Sequence, residues 1–162
     1  MYQTLRRLLK AIGLYQITGG AIGAGIIIYS VIFHPQLNFF WALYVLIGLM
    51  LYCFSIYTGM KTFQLYPSGI ELTLYVQLLQ VVSFSLYGFK YLFNPGLGVM
   101  IGVDLTSSTE LIFNTQLPKF GIGKAENEAW QLSINLIPLA LLILIGSIQG
   151  KIKHTANLSL PK

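Results

Sequence analysis

IELTLYVQLLQVVSFSLYGFKYLF, residues 70–93, is almost uninterrupted apolar sequence, with Glu71 near its start and Lys90 near its end. Taken as one helix rising about 1.5 Å per residue, it reaches past the roughly 30 Å of a hydrocarbon layer. Gln77, Gln80 and Ser83 recur at a spacing of three, which gathers them on one helical face. An amide without a partner is costly in an apolar medium, so this face is expected to meet other polar groups. Asn135 and Ser133 in a later run, with Gln16 and Thr18 in an earlier one, are candidate partners.

Three further apolar runs, 13–33, 39–57 and 129–148, have comparable lengths, and no Lys, Arg, Asp or Glu occurs from 11 to 60. The composition agrees: 55% hydrophobic and 9% charged residues, with a mean hydropathy of +0.69. A soluble domain carries about 25% charge. These features predict an all-α, polytopic membrane protein with four transmembrane helices, forming a single domain over 1–162. Continuous runs, rather than alternation at period two, argue against strands. The first run follows Arg6, Arg7 and Lys10 but lacks a small-residue cleavage pattern, so it reads as a retained helix rather than a leader.

Basic residues sort to one side of this topology, including Arg6, Arg7, Lys10, Lys61, Lys151, Lys153 and Lys162. The positive-inside tendency then places both termini in the cytoplasm and the 94–128 loop outside. Within that loop, 99–105 and 110–113 suit a small extracytoplasmic β-hairpin around Thr106, Ser107, Ser108 and Thr109. A re-entrant segment over 97–103 is the competing reading. Glu126 and Glu128 would fall near the start of the last helix, against the positive end of its dipole.

Gly19, Gly20 and Gly23 form a notch of small residues that lets another helix approach closely. With Gln77, Gln80, Ser83 and Asn135, they are the candidate helix-packing or partner interface. No catalytic, cofactor-binding or metal-ligating set emerges. His34 and His154 fall on opposite sides, and Cys53 reads as an apolar filler. The acids Asp104, Glu110, Glu126 and Glu128 have no histidine or cysteine beside them.

The expectation is therefore a non-enzymatic integral membrane subunit that packs beside or stabilises a larger membrane complex. The alternative is a homo-oligomeric small channel, transporter or membrane-permeabilising protein. Partners would be membrane lipid and other integral membrane subunits, or further copies of the chain, with no nucleic acid. The location would be the cytoplasmic (inner) membrane.

Overall fold

Between Val81 and Val82 the 70–93 run changes from helix to strand. The computed structural model describes residues 2–33, 35, 38–106, 109–124 and 130–158. Its elements are α1 (Tyr2–Phe33), α2 (Phe39–Phe63), α3 (Pro67–Val81), β1 (Val82–Leu86), β2 (Phe89–Asn94), β3 (Gly98–Asp104), β4 (Glu110–Gln116), β5 (Lys119–Lys124), β6 (Gln131–Asn135) and α4 (Leu136–Leu158). The strands form one six-stranded antiparallel sheet in the order β4-β3-β6-β1-β2-β5.

The all-α, four-span prediction is corrected to a mixed α/β fold. Val82-Ser83-Phe84-Ser85-Leu86 alternates apolar and polar residues at the period of a strand, and its β-branched and aromatic residues suit a pleated surface. Tyr87 and Gly88, with φ of 52° and 76°, make the tight turn into β2. Positive φ at both central residues matches the twist of a two-residue hairpin. The same alternation appears in Gln131-Leu132-Ser133-Ile134-Asn135, so the 129–148 run also begins as a strand.

Consequently α3 has 15 residues, about 22 Å, too short to span hydrocarbon. Two helical stretches, Gln3–Phe33 and Phe39–Phe63, are long and apolar enough to cross a membrane by length and composition, whereas Leu136–Gln149 is shorter. The predicted 94–128 outer loop is instead three strands of the central sheet, with β3 and β4 paired from Gly98–Gln116 to Asp104–Glu110.

With the four-span bundle go the readings built on it. The integral membrane subunit, the oligomeric channel or transporter, and the lipid and integral-subunit partners are overturned by extensive helix–sheet packing. So is the inner-membrane location with both termini cytoplasmic. Cys53, read as an apolar filler, is exposed. His34, Ser107, Ser108, Glu126, Glu128 and Lys162 lie outside the described residues, as do the side chains of Lys151, Lys153 and His154.

Connectivity forces the sheet to curl. β4 and β5 are its two outer strands, yet only Leu117 and Pro118 separate them in sequence. Across a flat sheet, five strand spacings would hold them about 24 Å apart. A link of three Cα–Cα steps reaches at most about 11 Å. The curl is directed toward the face that carries Asn94: its side-chain nitrogen on β2 lies 3.5 Å from the Gln116 carbonyl and 3.4 Å from the Leu117 carbonyl at the end of β4. Flat, β2 and β4 would stand about 19 Å apart.

The α1–α2 hairpin packs on the opposite, convex face at its β2–β5 end. Ile27, Tyr52, Phe93 and Phe120 form the buried core there. The Tyr52 ring centroid lies 5.6 Å from that of Phe93, and the Tyr44 hydroxyl donates to the Phe120 carbonyl at 2.8 Å. Ile101, Leu111, Phe113, Leu132 and Ile134, farther along the convex face, are exposed.

A second brace runs from α1 to the start of β3, where the Tyr15 hydroxyl donates to the Leu97 carbonyl at 2.9 Å. Burial pushes that hydroxyl's pKa up to about 12.

Gly23 is where α1 yields space to the Tyr52 ring, into which an added Cβ would run. Gly25, two residues on, has open space at the same position. Gly23→Ala should therefore lower unfolding free energy by about 1–3 kcal/mol through overpacking. Gly25→Ala should be neutral or slightly stabilising, because alanine is the better helix former. Chemical denaturation of the two variants checks this contrast.

Candidate functional site

Alternation sorts the sheet's side chains onto two chemically different faces, and the polar set lies inside the curl. Ser83 and Ser85 on β1 are buried. On β6, Ser133 stands opposite Ser83, and Gln131 opposite Ser85. Lys90 on β2 is paired with Ser85 on one side and Gly123 on the other. The Lys90 stem lies over the β5 backbone: a Cβ added at Gly121 would be 3.7 Å from its Cε. These groups, with Gln116 at the end of β4 and Lys119 at the start of β5, line a cavity of about 100 Å³.

The closed end of the curl is held by two asparagines. Asn135 Oδ1 accepts from the Val99 amide at 3.1 Å and from the Ile137 amide at 3.3 Å. Its nitrogen donates to Asn94 Oδ1 at 3.3 Å. A side chain at Gly98 would meet this pair, with an added Cβ 2.7 Å from Asn94 Nδ2. The absent side chain is what lets β3 cross so close to the asparagines.

At the other end, Asp104 organises the turn after β3. Its Oδ1 accepts from the Thr106 amide at 2.8 Å and from the Thr106 hydroxyl at 2.5 Å. Its Oδ2 accepts from Gln131 Nε2 at 2.6 Å. The Thr106 hydroxyl oxygen also accepts from the Trp130 amide at 3.1 Å, and the Leu105 amide donates to the Trp130 carbonyl at 2.7 Å. Hydrogen bonds from the Thr106 side chain, the Thr106 amide and Gln131 all favour the ionised carboxylate and hold it below the usual value of 3.8.

The residues singled out from sequence are dispersed. Gly20 and Gly23 face Tyr52 and Ile56 on α2, whereas Gly19 abuts the Pro95–Gly96 backbone. Gln77 and Gln80 are buried on α3, and both atoms of each amide lack a protein hydrogen-bond partner among the described residues. Gln16 is buried nearby: its Oε1 accepts from Thr73 at 3.1 Å, and Thr73 lies 2.7 Å from the Thr62 hydroxyl. Ser83 and Asn135 belong to strands, and both contribute to the polar face.

Sequence reasoning therefore named Ser83 and Asn135 for helix packing and missed the face they share with Ser85, Lys90, Gln116, Lys119, Gln131 and Ser133. The available signal was the two-residue alternation in 82–86 and 131–135.

A larger concavity, about 800 Å³, lies on the convex side between the start of α2 and the β2–β5 edge. Phe40, Trp41, Leu43, Tyr44, Ile47, Phe89 and Ile122 line it, and the Tyr44 phenol is the only ionisable group among its described lining residues. Size favours that groove, but directional chemistry favours the cavity inside the curl. No family model, no curated protein and no solved structure matches this chain.

The Asp104 knot has a pH signature. Because its folded-state pKa is lowered, its contribution to stability is complete above the unfolded carboxylate range. That contribution is lost as pH falls through the lower folded value. A side-chain carboxyl NMR titration should give Asp104 a midpoint below 3.8, and Asp104→Asn should shift the Thr106 and Trp130 amide signals most. A midpoint at or above the ordinary value would contradict the hydrogen-bonded turn.

Proposed function

We propose that this chain is a non-catalytic binding domain that holds a small polar solute inside its curled sheet. The observation that carries this reading is the inversion of the sheet: serine and amide side chains are turned inward while much of the apolar face is turned out. Burying polar groups costs free energy unless they find hydrogen-bond partners. Gln116 Oε1, at the cavity, is buried without one among the described residues. Such a group costs about 1–3 kcal/mol, and a solute that donates to it recovers part of that cost.

The non-catalytic part of the reading rests on the cavity's chemistry. Ser83, Ser85 and Ser133 offer hydroxyls, and among the described residues that line the cavity there is no histidine or carboxylate to act as a general base of the usual kind. No group of three or more His, Cys, Asp or Glu side chains placed to hold a metal ion occurs among the described residues.

Thermal melts with glucose, glycine or inorganic phosphate provide the test. At about 100 times its dissociation constant, a ligand specific for the folded state stabilises by about 2.7 kcal/mol. That corresponds to a rise in Tm of several degrees. At least one probe should give this rise, and the double substitution Ser85→Val with Ser133→Val should remove it while leaving the circular dichroism spectrum intact. No shift with any of the three, or an undiminished shift in the double variant, would overturn the proposal.

A further inference from the structure

We infer that the solute is a phosphate-type oxyanion, with its negative charge held between Lys90 and Lys119. This rests on the binding-cavity reading above and adds the ligand's chemical class. The two lysines come from different strands and reach the cavity from separated positions. Lys119 is opposite Asn94 in the β2–β5 ladder, whereas the position opposite Lys90 is Gly123. Four residues on β5 therefore separate their registers, roughly 13 Å along the strand, yet both side chains line the same cavity of about 100 Å³.

Among the described residues, they are the only formally charged ones that line the cavity. Both side chains are exposed to solvent as well as lining the cavity, and an anion held there would be attracted to both charges. Lysine serves phosphate groups as a compact point charge.

The serine hydroxyls complement an oxyanion, and a protonated phosphate oxygen can donate to Gln116 Oε1. Hydroxyls of Ser83, Ser85 and Ser133 can donate to the several acceptor oxygens that a tetrahedral oxyanion presents. Asp104 and Glu110 stand opposite each other in the same cross-strand row as Gln131, Ser85 and Lys90, and neither is among the cavity's described lining residues. Asp104 is already engaged by Thr106 and Gln131.

The cavity's size limits the recognised part to one small group. A larger body, if present, would extend through the mouth. Positioning comes from the chain itself: Asn94 holds the Gln116 and Leu117 carbonyls, and the fixed φ of Pro118 leads directly into Lys119. Closing the curl and delivering the second cation are the same structural event.

Isothermal titration of the full chain with inorganic phosphate, a hexose phosphate and glucose tests the inference. At least one phosphate ligand should bind with one-to-one stoichiometry. Preference for inorganic phosphate would mean a free ion, and preference for the hexose phosphate an organic body; either supports the class. Lys90→Gln and Lys119→Gln should each weaken binding by about tenfold or more, equivalent to about 1.4 kcal/mol. Added salt should weaken it as well.

Lys61→Gln should leave binding unchanged, because Lys61 packs over the Tyr57 and Tyr66 rings away from the cavity. In wild-type NMR spectra, phosphate should perturb amides of β1, β2 and β5, which keeps the test independent of the variants. Glucose binding that is lost in Ser133→Val, without phosphate binding, would overturn the oxyanion class and leave the cavity reading standing. Binding of none of the three would overturn the oxyanion class, and the cavity reading falls with it if glycine also gives no shift in the thermal melts.

Discussion

Leu117 and Pro118 are too short a bridge for a flat sheet. They join strands that occupy its opposite edges, so the intervening strands have to bend until those edges approach. The Asn94 side chain then reaches across the interior to the end of β4. Everything proposed about binding depends on this closure, because it converts one face of a sheet into the lining of a cavity.

The closure also explains an inverted distribution of residue types. In an ordinary half-buried sheet the apolar face supplies the core. Here the α1–α2 hairpin covers the apolar face only around Phe93 and Phe120, while Phe113 and Leu111 remain exposed at 70% and 84%. The inward face carries serines, amides, glycines, two lysines and the acids Asp104 and Glu110, together with the buried Leu92 and Met100. Its polar groups are organised by cross-strand contacts such as Asn94–Asn135, and glycines stand where β3 passes closest to them. The helices act as a frame, with Tyr15, Tyr44 and Tyr91 each donating a hydrogen bond to a backbone carbonyl across an element boundary.

Part of this architecture was legible in the sequence. The long α1 and α2 follow from apolar length, whereas the third apolar run, read as one helix over 70–93, is helical only to Val81. Gly20 and Gly23 of α1 lie against Ile56 and Tyr52 of α2. A hairpin near 99–113 was also visible.

The change of period at Val82 was obscured because valine, phenylalanine and leucine continue the apolar count on either side of it. A hydropathy window does not distinguish an apolar helix from a strand with apolar residues on one face and small serines on the other. The cavity was harder still to read. Its lysines and serines come from β1, β2, β5 and β6, and only the β4–β5 connection brings them to one place. The composition was read as the signature of four spanning helices; the exposed apolar side chains lie mostly on the helices, above all α1 and α2, with a smaller group on the convex sheet face.

The most direct measurement is a nuclear Overhauser contact between the Asn94 side-chain amide protons and the α-protons of Gln116 and Leu117 in the intact chain. A closed curl predicts clear cross-peaks, because Asn94 Nδ2 lies within 3.5 Å of the Gln116 carbonyl and 3.4 Å of the Leu117 carbonyl. If the β1–β2 and β3–β4 pairing contacts are present but these cross-peaks are missing, the sheet is open, and the cavity and its ligand fall with it.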